Sequence, residues 1–367
     1  MDRARHTLRA IQSWLFSPEV QFADEPHRGG IVGWFDEAGS AVFLYPEITG
    51  YYLTWLAFLA HAFGRTEEAA RRADNALAWI TRQFSQGRVP LTRTYLTRAD
   101  LEDWRNGGLF VFDLAMLARG VAAVRDLVNE GERTRLLAHL IDRLLPFCTE
   151  RAAFHAFLPH SSFHSDAQPR WSCIHGPYQA KVATAILSTD AIAPVPDSLQ
   201  FTAAAVYGRW REYSRLNTLE GDHPAFYHLE GLALAGANDW DPGAWPVASH
   251  AYLQIIGMRS PAARLAPYFN GSASENRSDV LAQALRMGCI LRSRGGLKSP
   301  TFDRKLQHLA EVLAQFVTDD GAVLFSQSPP YRHRNVWSSI FAHQALSFYE
   351  VVAGGNSLED RWLQLLV

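Results

Sequence analysis

"YPEITGYYLTWLAFLA", residues 45–60, predicts a helix that is apolar on almost every face and that begins with an acid, Glu47, among tyrosines. A helix that is apolar all round is buried on all sides in a soluble protein. A carboxylate at the start of such a helix needs either a local partner or a chemical role. Which of the two applies depends on whether other helices of the chain repeat the arrangement.

Five further segments share this composition, with small and aliphatic residues on nearly all faces. They are GGLFVFDLAMLARGV, CIHGPYQAKVATAIL, HPAFYHLEGLALAG, RSDVLAQALRMGCIL and NVWSSIFAHQALSFY. Each of the six segments carries an acid or an amide that we place in its first turns: Glu47, Asp113, Gln179, Glu230, Gln283 and Gln344. Successive members of this set are 51 to 66 positions apart, which is the length of one helical hairpin with its loops.

The segments between the buried helices, such as EEAARRADNALAWITRQF and ERTRLLAHLIDRLL, are amphipathic with charged faces. Six buried helices alternating with six amphipathic ones predict an inner and an outer ring, an all-α (α/α)6 toroid with residues 1–367 as a single domain. We expect short extended segments in loops, including a hairpin within 29–46. We expect helices at 4–16, 47–63, 67–85, 107–127, 131–147, 174–189, 197–213, 223–236, 245–257, 278–294, 302–317, 335–353 and 358–366, paired in that order after the first.

An open solenoid, or another all-α bundle, is the alternative fold. The spacing is too irregular for tetratricopeptide or HEAT repeats, which favours a closed ring. In a closed ring the inner helices run parallel, so their N-terminal ends gather at one mouth around a shared pit. The six polar residues are therefore predicted to surround one cavity.

Composition excludes several classes of function. The net charge is -2 and there is no block of like charges, which argues against a nucleic-acid partner. No apolar run reaches the roughly 18 residues that span a bilayer, and the amphipathic first residues lack a signal-peptide core, so we expect a cytoplasmic protein without a membrane partner. The three cysteines lie far apart and indicate neither a zinc cluster nor a disulfide framework. We expect no metal, although His155, His160 and His164 share one loop, and no cofactor.

Five stretches spread over the chain resemble a known group of proteins. They are YPEITGYYL, RWSCIHGPYQAKVATAIL, HPAFYHLEGLAL, RSDVLAQALR and NVWSSIFAHQAL. They are similar to the six-hairpin glycosidase and N-acylglucosamine 2-epimerase-like group, including bacterial members that accompany glycan-biosynthesis enzymes. The resemblance implies the same toroid, carbohydrate metabolism or polysaccharide biosynthesis, and a sugar or oligosaccharide substrate. It does not assign the epimerases' catalytic histidines to positions in this chain.

Three acids are the catalytic candidates, because glycoside hydrolysis needs paired carboxyl groups and epimerases or lyases need a base beside a cation. Glu47 is flanked by tyrosines, although an acid also suits the positive start of a helix. Glu230 is followed by apolar residues, and burial is expected to raise its pKa towards that of a general acid. Asp113 lies between apolar residues and has Arg93 or Lys181 as an alternative structural partner.

Substrate-binding candidates are cations that can hold hydroxyl or carboxylate groups, tryptophans that can stack on sugar rings, and polar residues of the buried helices. On a helix, His175 and Gln179 would share a face at i, i+4. The candidates are Tyr51, Arg93, Trp171, His175, Gln179, Arg277, Asp279, Gln283, Arg334, Trp337 and Gln344.

The resulting hypothesis is a carbohydrate-active enzyme, a hydrolase, lyase or epimerase, that acts on a sugar in the pit by carboxylate acid/base chemistry. An isoprenoid cyclase or transferase with an aromatic pit is an alternative, but the chain has no DDxxD-type acid cluster. A non-catalytic glycan-binding protein or helical scaffold is the other. A homodimer is compatible with the sequence, and residues 152–171 are a candidate lid or dimer contact.

Overall fold

The computed structural model describes residues 2–84, 90–97, 103–160, 170–190, 192–212, 222–257, 277–294 and 296–367. The secondary structure of these residues is mainly helical. Its α-helices are α1 (Asp2–Leu15), α2 (Pro46–Phe63), α3 (Thr66–Phe84), α4 (Val111–Ala123), α5 (Glu130–Leu144), α6 (Gln179–Thr189), α7 (Asp197–Arg211), α8 (Asp222–Ala237), α9 (Ala244–Gly257), α10 (Ser278–Ser293), α11 (Pro300–Ala314), α12 (Val336–Ala353) and α13 (Asp360–Gln364).

Six helices form the inner ring: α2, α4, α6, α8, α10 and α12. Each packs against the next along the chain, and α12 packs against α2, so the ring is closed. These are the helices that lack a polar face. In α10, for example, every residue from Ser278 to Leu291 is buried. The structure confirms the predicted (α/α)6 toroid and excludes an open solenoid.

The outer ring consists of amphipathic helices, each packed mainly against one inner helix. Helices α3, α5, α7, α9 and α11 follow their inner partners in the chain, whereas α1 packs against α12. The predicted pairing of 335–353 with 358–366 was therefore wrong. The latter segment contains only the five-residue helix α13, which contacts α8 and α2. Helix α1 carries an apolar stripe that includes Ile11 and Leu15, and this stripe covers the last inner helix.

The inner helices α2 and α4 cross at very short distance because glycines face each other. A Cβ atom added to Gly120 of α4 would lie 2.2 Å from the backbone oxygen of Gly50 in α2. A Cβ atom on Gly50 would lie 2.6 Å from the backbone oxygen of Met116. Only residues without a side chain allow this approach. It brings together the two helices that begin near Glu47 and Asp113.

Short antiparallel strands precede several inner helices. The strands are β1 (Trp34–Phe35), β2 (Phe43–Leu44), β3 (Thr94–Tyr95), β4 (Gly108–Phe110), β5 (Phe157–Pro159) and β6 (Arg334–Asn335). They pair as β1 with β6, β2 with β3, and β4 with β5. An isolated bridge between Phe35 and Ala41 closes the hairpin expected within 29–46. Among the described helices, none is both long and apolar enough to cross a membrane.

Candidate active site

A cavity of about 840 Å³ opens at the end of the ring where the inner helices begin. Its walls contain residues from the first turns of inner helices or from the segments directly before them. One such residue for each of α2, α4, α6, α8, α10 and α12 is, in order, Tyr51, Phe112, Trp171, His223, Arg277 and Trp337. The N-terminal ends of the inner helices therefore gather around one pit.

Glu47 and Asp113 line this cavity from adjacent inner helices. Pro46 occupies the first turn of α2, where its fixed φ suits a helix start, and Glu47 follows it. Strand β4 leads directly into α4, so Asp113 lies in the first turn of that helix. Tyr45, the residue before α2, donates a hydrogen bond from Oη to Asp113 Oδ2 at 3.0 Å. One tyrosine thus links the starts of both helices.

Both carboxyl groups hold their protons more tightly than usual. Burial raises the pKa of Glu47, and the neighbouring hydroxyl groups of Tyr45 and Tyr51 offset part of the shift. The pKa of Asp113 is raised well above its ordinary value, first by burial and then by the negative charge of Glu47. Two neighbouring carboxyl groups in a low-dielectric site cannot both ionise easily. The pair is therefore suited to retain a proton on Asp113 while Glu47 ionises first.

Two tyrosines extend this polar surface. Tyr51 Oη donates to Tyr227 Oη at 3.0 Å. Lys181 Nζ lies 5.2 Å from the ring centroid of Tyr51 and 4.6 Å from that of Tyr227, so a positive charge sits behind both rings. Burial raises the pKa of each phenol well above its ordinary value. Both hydroxyl groups consequently remain protonated: Tyr51 gives its proton to Tyr227, and Tyr227 keeps its own proton for another acceptor.

His223, in the first turn of α8, is a further titratable residue of the cavity wall. Its Nδ1 atom lies 2.7 Å from Gln283 Oε1 and 3.7 Å from Asp279 Oδ2. Its ring packs against Tyr227 with centroids 4.4 Å apart. Burial lowers the pKa of His223 to about 4, so the imidazole is neutral at physiological pH.

Three arginines, Arg93, Arg105 and Arg170, line the cavity and are called the arginine wall below. Arg93 Nη1 lies 3.3 Å from Asp103 Oδ2, and Arg105 Nη1 lies 2.9 Å from Asp103 Oδ1. Arg170 lies over the ring of Trp104 at 5.5 Å. The pKa of Arg105 is lowered by burial and then by the charge of Arg93. Positive charges therefore repel one another here, which favours an anionic ligand.

Glu230 lies beneath the cavity in a fully buried ionic group, called the floor cluster below, with Lys181 and Arg286. Its Oε2 atom accepts from Lys181 Nζ at 2.7 Å, and its Oε1 atom accepts from Arg286. Gln283 Nε2 also donates to Oε1 at 3.3 Å. Glu230 is eight residues into α8, so it lies about 12 Å along the helix from the mouth.

The expectation that burial raises the pKa of Glu230 was wrong. Burial does favour the neutral form, but the charges of Arg286 and Lys181 outweigh it and lower the pKa below its ordinary value. Glu230 is therefore built to stay ionised rather than to exchange a proton with a substrate. Nor do Lys181 and Asp113 form the structural ion pair that the sequence left open, since Lys181 binds Glu230.

The structure divides the predicted site residues into two groups. The residues in the cavity wall are Glu47, Tyr51, Arg93, Asp113, Trp171, Arg277 and Trp337. The residues outside the lining are Glu230, His175, Gln179, Asp279, Gln283, Arg334 and Gln344. The prediction that all six repeated polar residues surround the cavity was wrong, because only Glu47 and Asp113 line it. Glu230 and Gln344, for example, lie too far along their helices.

Asp279 and Gln283 are placed directly behind the wall. Asp279 is fully buried, receives hydrogen bonds from Arg277 and from Trp337 Nε1 at 3.2 Å, and so orients two wall residues. Gln283 contacts His223 in the same way. Both therefore support residues that face the cavity.

The other predicted residues have local partners elsewhere. Helix α6 begins only at Gln179, so His175 is exposed before it and the two share no helical face. Gln179 Nε2 donates to the backbone oxygen of Phe154 at 3.3 Å. Arg334 pairs with Asp320 at 2.9 Å. Gln344 accepts from the backbone nitrogen of Val367 at 2.9 Å, deep in the barrel. Much of the 152–171 segment, including His164, lies outside the described residues.

Several wall residues were not selected from the sequence. They include Tyr45, Arg105, His223, Tyr227 and His333. A signal for most of them was available, because they flank the starts of inner helices and the sequence locates those starts. His223, for example, opens the quoted segment HPAFYHLEGLALAG.

Comparison with solved structures finds the same architecture in several proteins over almost the full length of this chain. Cellobiose 2-epimerase from Bacillus thermoamylovorans B4167 superposes with a TM-score of 0.69 at 12% identity, over 94% of this chain and 99% of that chain. A D-mannose isomerase gives 0.69 at 10% identity over 95% and 97%. An unsaturated glucuronyl hydrolase specific for heparin gives 0.64 at 12% identity over 95% and 98%.

This chain has the six-hairpin (α/α)6 toroid fold. The neighbours are six-hairpin glycosidase-like toroid proteins, so the fold that the sequence resemblance implied is confirmed. No protein-family model matches the sequence, and no curated protein matches it significantly. At 10–12% identity the likeness establishes the fold alone, since one fold hosts many chemistries.

Proposed function

We propose that this protein is a carbohydrate-active enzyme that processes a sugar or oligosaccharide in the cavity by proton transfer, with Glu47 and Asp113 as the acid/base pair. The observation that carries this proposal is the pair itself. Two carboxyl groups from adjacent helices open into one cavity, share Tyr45 as a neighbour, and both have raised pKa values. Groups whose proton affinity is shifted towards neutrality are efficient general acids and bases.

The environments of the two carboxyl groups suggest different roles. Asp113 has the larger upward shift in pKa, so it is the group that carries the proton and donates it to a substrate oxygen. The pKa of Glu47 is also raised by burial but less than that of Asp113, so Glu47 ionises first and its carboxylate accepts a proton. Tyr45 donates to Asp113 Oδ2, which leaves Oδ1 for the transferred proton.

The cavity wall favours a sugar that bears an anionic group, such as a uronic acid. The arginine wall places three cations at the cavity, and two of them, Arg93 and Arg105, share the single carboxylate of Asp103. Trp171 and Trp337 supply indole faces for sugar rings at the same cavity. The names of the structural neighbours, a cellobiose 2-epimerase, a D-mannose isomerase and an unsaturated glucuronyl hydrolase, support sugar chemistry in general.

The isoprenoid cyclase alternative fits the cavity less well. Stabilisation of a carbocation calls for a wall that is almost entirely aromatic. Here arginines and carboxyl groups lie among the aromatic rings, which suits a polyhydroxylated or charged substrate. A purely structural role does not account for two carboxyl groups that are held with raised pKa values at an open cavity.

The test is a panel of neutral and uronic-acid mono- and disaccharides incubated with the protein in D2O and followed by NMR. Deuterium incorporated at a sugar carbon indicates an epimerase or isomerase, and release of a reducing end indicates a hydrolase. Asp113→Asn and Glu47→Gln are expected to abolish turnover, because each keeps the shape but removes the titratable group. Asp142→Asn, an exposed position in α5, is the control and is expected to retain activity.

Turnover of a prenyl diphosphate without turnover of any sugar would replace the proposal with the cyclase alternative. Full sugar activity in Asp113→Asn would remove the acid/base assignment. A location in the cytoplasm of a bacterium, a role in polysaccharide biosynthesis, the absence of a nucleic-acid partner and a homodimeric state belong to the same proposal. They rest on the composition and the sequence resemblance, and light scattering of the purified protein tests the dimer.

A further inference from the structure

The buried floor cluster and the cavity are joined by a chain of hydrogen bonds that ends at His223. It runs from Glu230 through Gln283 to the imidazole. Each of these hydrogen bonds has only one chemically consistent donor. The protonation state of Glu230 therefore determines the position of the proton in each hydrogen bond that follows.

Glu230 is the fixed end. Both of its oxygens accept hydrogen bonds from buried cations, Lys181 and Arg286, and its side chain has no exposure to solvent. An ionised carboxylate can only accept hydrogen bonds. The group 3.3 Å from Glu230 Oε1 must therefore be the amide NH2 of Gln283, and not its carbonyl.

The orientation of Gln283 determines the tautomer of His223. With its NH2 group directed to Glu230, Gln283 presents Oε1 to His223 Nδ1 at 2.7 Å. An amide oxygen accepts and cannot donate, so the imidazole proton lies on Nδ1. Asp279 Oδ2, 3.7 Å from the same nitrogen, reinforces this placement, because a carboxylate favours a nearby N–H.

The other ring nitrogen, Nε2, then carries no proton and has a free lone pair. Within the described part of the chain, the hydrogen bonds of His223 go to Nδ1 and none to Nε2. The residue lines the cavity, and contacts with Tyr227 and Trp171 hold its ring in place. The imidazole is neutral, so this lone pair is available.

We propose that Glu230 and Gln283 are positioning residues that hold His223 as its Nδ1–H tautomer, so that Nε2 accepts a proton or hydrogen bond from a substrate hydroxyl in the cavity. The role towards substrate rests on the proposed function, whereas the tautomer is a property of the protein alone. Glu230 thus influences the cavity without reaching it, which explains an acid placed so deep in α8.

The tautomer is measured by NMR of protein labelled with 15N in its histidines, because protonated and bare ring nitrogens have clearly separated chemical shifts. Comparison with His223→Gln assigns the signals. The wild-type protein is expected to show a protonated Nδ1 and a bare Nε2. A wild-type spectrum with the proton on Nε2 would overturn the proposal before any variant of the buried chain is made.

Gln283→Met then removes the link while preserving side-chain length and burial. We expect His223 to lose its single tautomer, and kcat on the sugar substrate to fall by about tenfold or more with little change in KM, because general-base catalysis contributes roughly 10²–10⁴-fold. Cys289→Ala, at a buried position in the same helix, is the control and should change neither. An unaltered tautomer in Gln283→Met would refute the positioning role.

The two proposals fail in different ways. If the Nδ1–H tautomer is present but no sugar is turned over, the proposed function fails and the hydrogen-bond chain stands. If sugars are turned over and His223→Gln retains full kcat, the proposed function stands and His223 is not a proton acceptor.

Discussion

Replacing Gly120 by alanine tests how tightly the ring is packed at the helices that hold the carboxyl pair. The added Cβ would lie 2.2 Å from Gly50 O and 2.7 Å from Gly50 Cα, whereas real Cβ contacts are essentially never shorter than 3.0 Å. The obstructing atoms are backbone, so helix α2 or α4 must shift as a whole. Overpacking of this kind costs about 1–3 kcal/mol or more, and the rigid obstacle places this case at the upper end.

Alanine also has a higher helix propensity than glycine, which increases the free energy of unfolding by about 1 kcal/mol. The expected net effect for Gly120→Ala is therefore a loss of about 2 kcal/mol in the free energy of unfolding, the difference between the overpacking cost and this gain. Gly208→Ala is the matched control, because Gly208 lies in the outer helix α7 and its added Cβ meets nothing within 4 Å. It should be about 0.5–1 kcal/mol more stable than the wild type.

Urea unfolding, followed by circular dichroism and tryptophan fluorescence, measures both variants. Equal midpoints for Gly120→Ala and Gly208→Ala would refute the close approach of α2 and α4. Because the shifted helices carry Glu47 and Asp113, we also expect Gly120→Ala to lose activity under conditions in which it remains folded.

Three further predictions concern charged residues. Glu230→Gln leaves two buried cations uncompensated and should cost about 3–5 kcal/mol in urea unfolding, whereas Arg286→Met keeps the Lys181–Glu230 pair and should cost less. Folding raises the pKa of Asp113. The contribution of Asp113 to the free energy of unfolding is therefore fully present below the pKa that this residue has in the unfolded chain. It is lost as pH rises through the pKa of the folded state. Asp113→Asn should therefore be inactive yet more stable than the wild type at neutral pH, with the difference vanishing below about pH 4 in urea titrations. Arg170→Gln should raise KM for a uronic-acid substrate about tenfold, and leave KM for a neutral sugar unchanged, in steady-state assays.

The helices of the inner ring could be predicted from local patterns in the sequence. Burial on all faces leaves a signature within each helix, since every side chain of a segment such as 278–291 must be small or apolar unless it has a partner. Six such segments between amphipathic ones leave few alternatives to a toroid. The starts of helices are also encoded locally, by residues such as Pro46, and so Glu47 and Asp113 could be selected correctly as cavity residues.

The depth of a polar residue and the identity of its partners could not be predicted. Glu230 and Glu47 both lie beside aromatic residues in buried helices. Glu230 is nevertheless ionised in the floor cluster, whereas Glu47 lines the cavity. The difference arises because Lys181 and Arg286 approach Glu230 from positions 49 and 56 residues away. The tautomer of His223 could not be predicted for the same reason, because it depends on Gln283, 60 residues distant.

The sequence by itself determined the number of buried inner helices, their alternation with amphipathic helices, and the end of the ring at which polar groups collect. Each of these follows from the 3.6-residue period and from helix-start signals. Only the tertiary structure decided that α1 completes the outer ring, that Glu230 is paired with two cations, and that His223 joins Glu47 and Asp113 at the cavity. Burial and charge pairing fix the proton affinity of each group, and both are set by residues that are close in space and far apart along the chain.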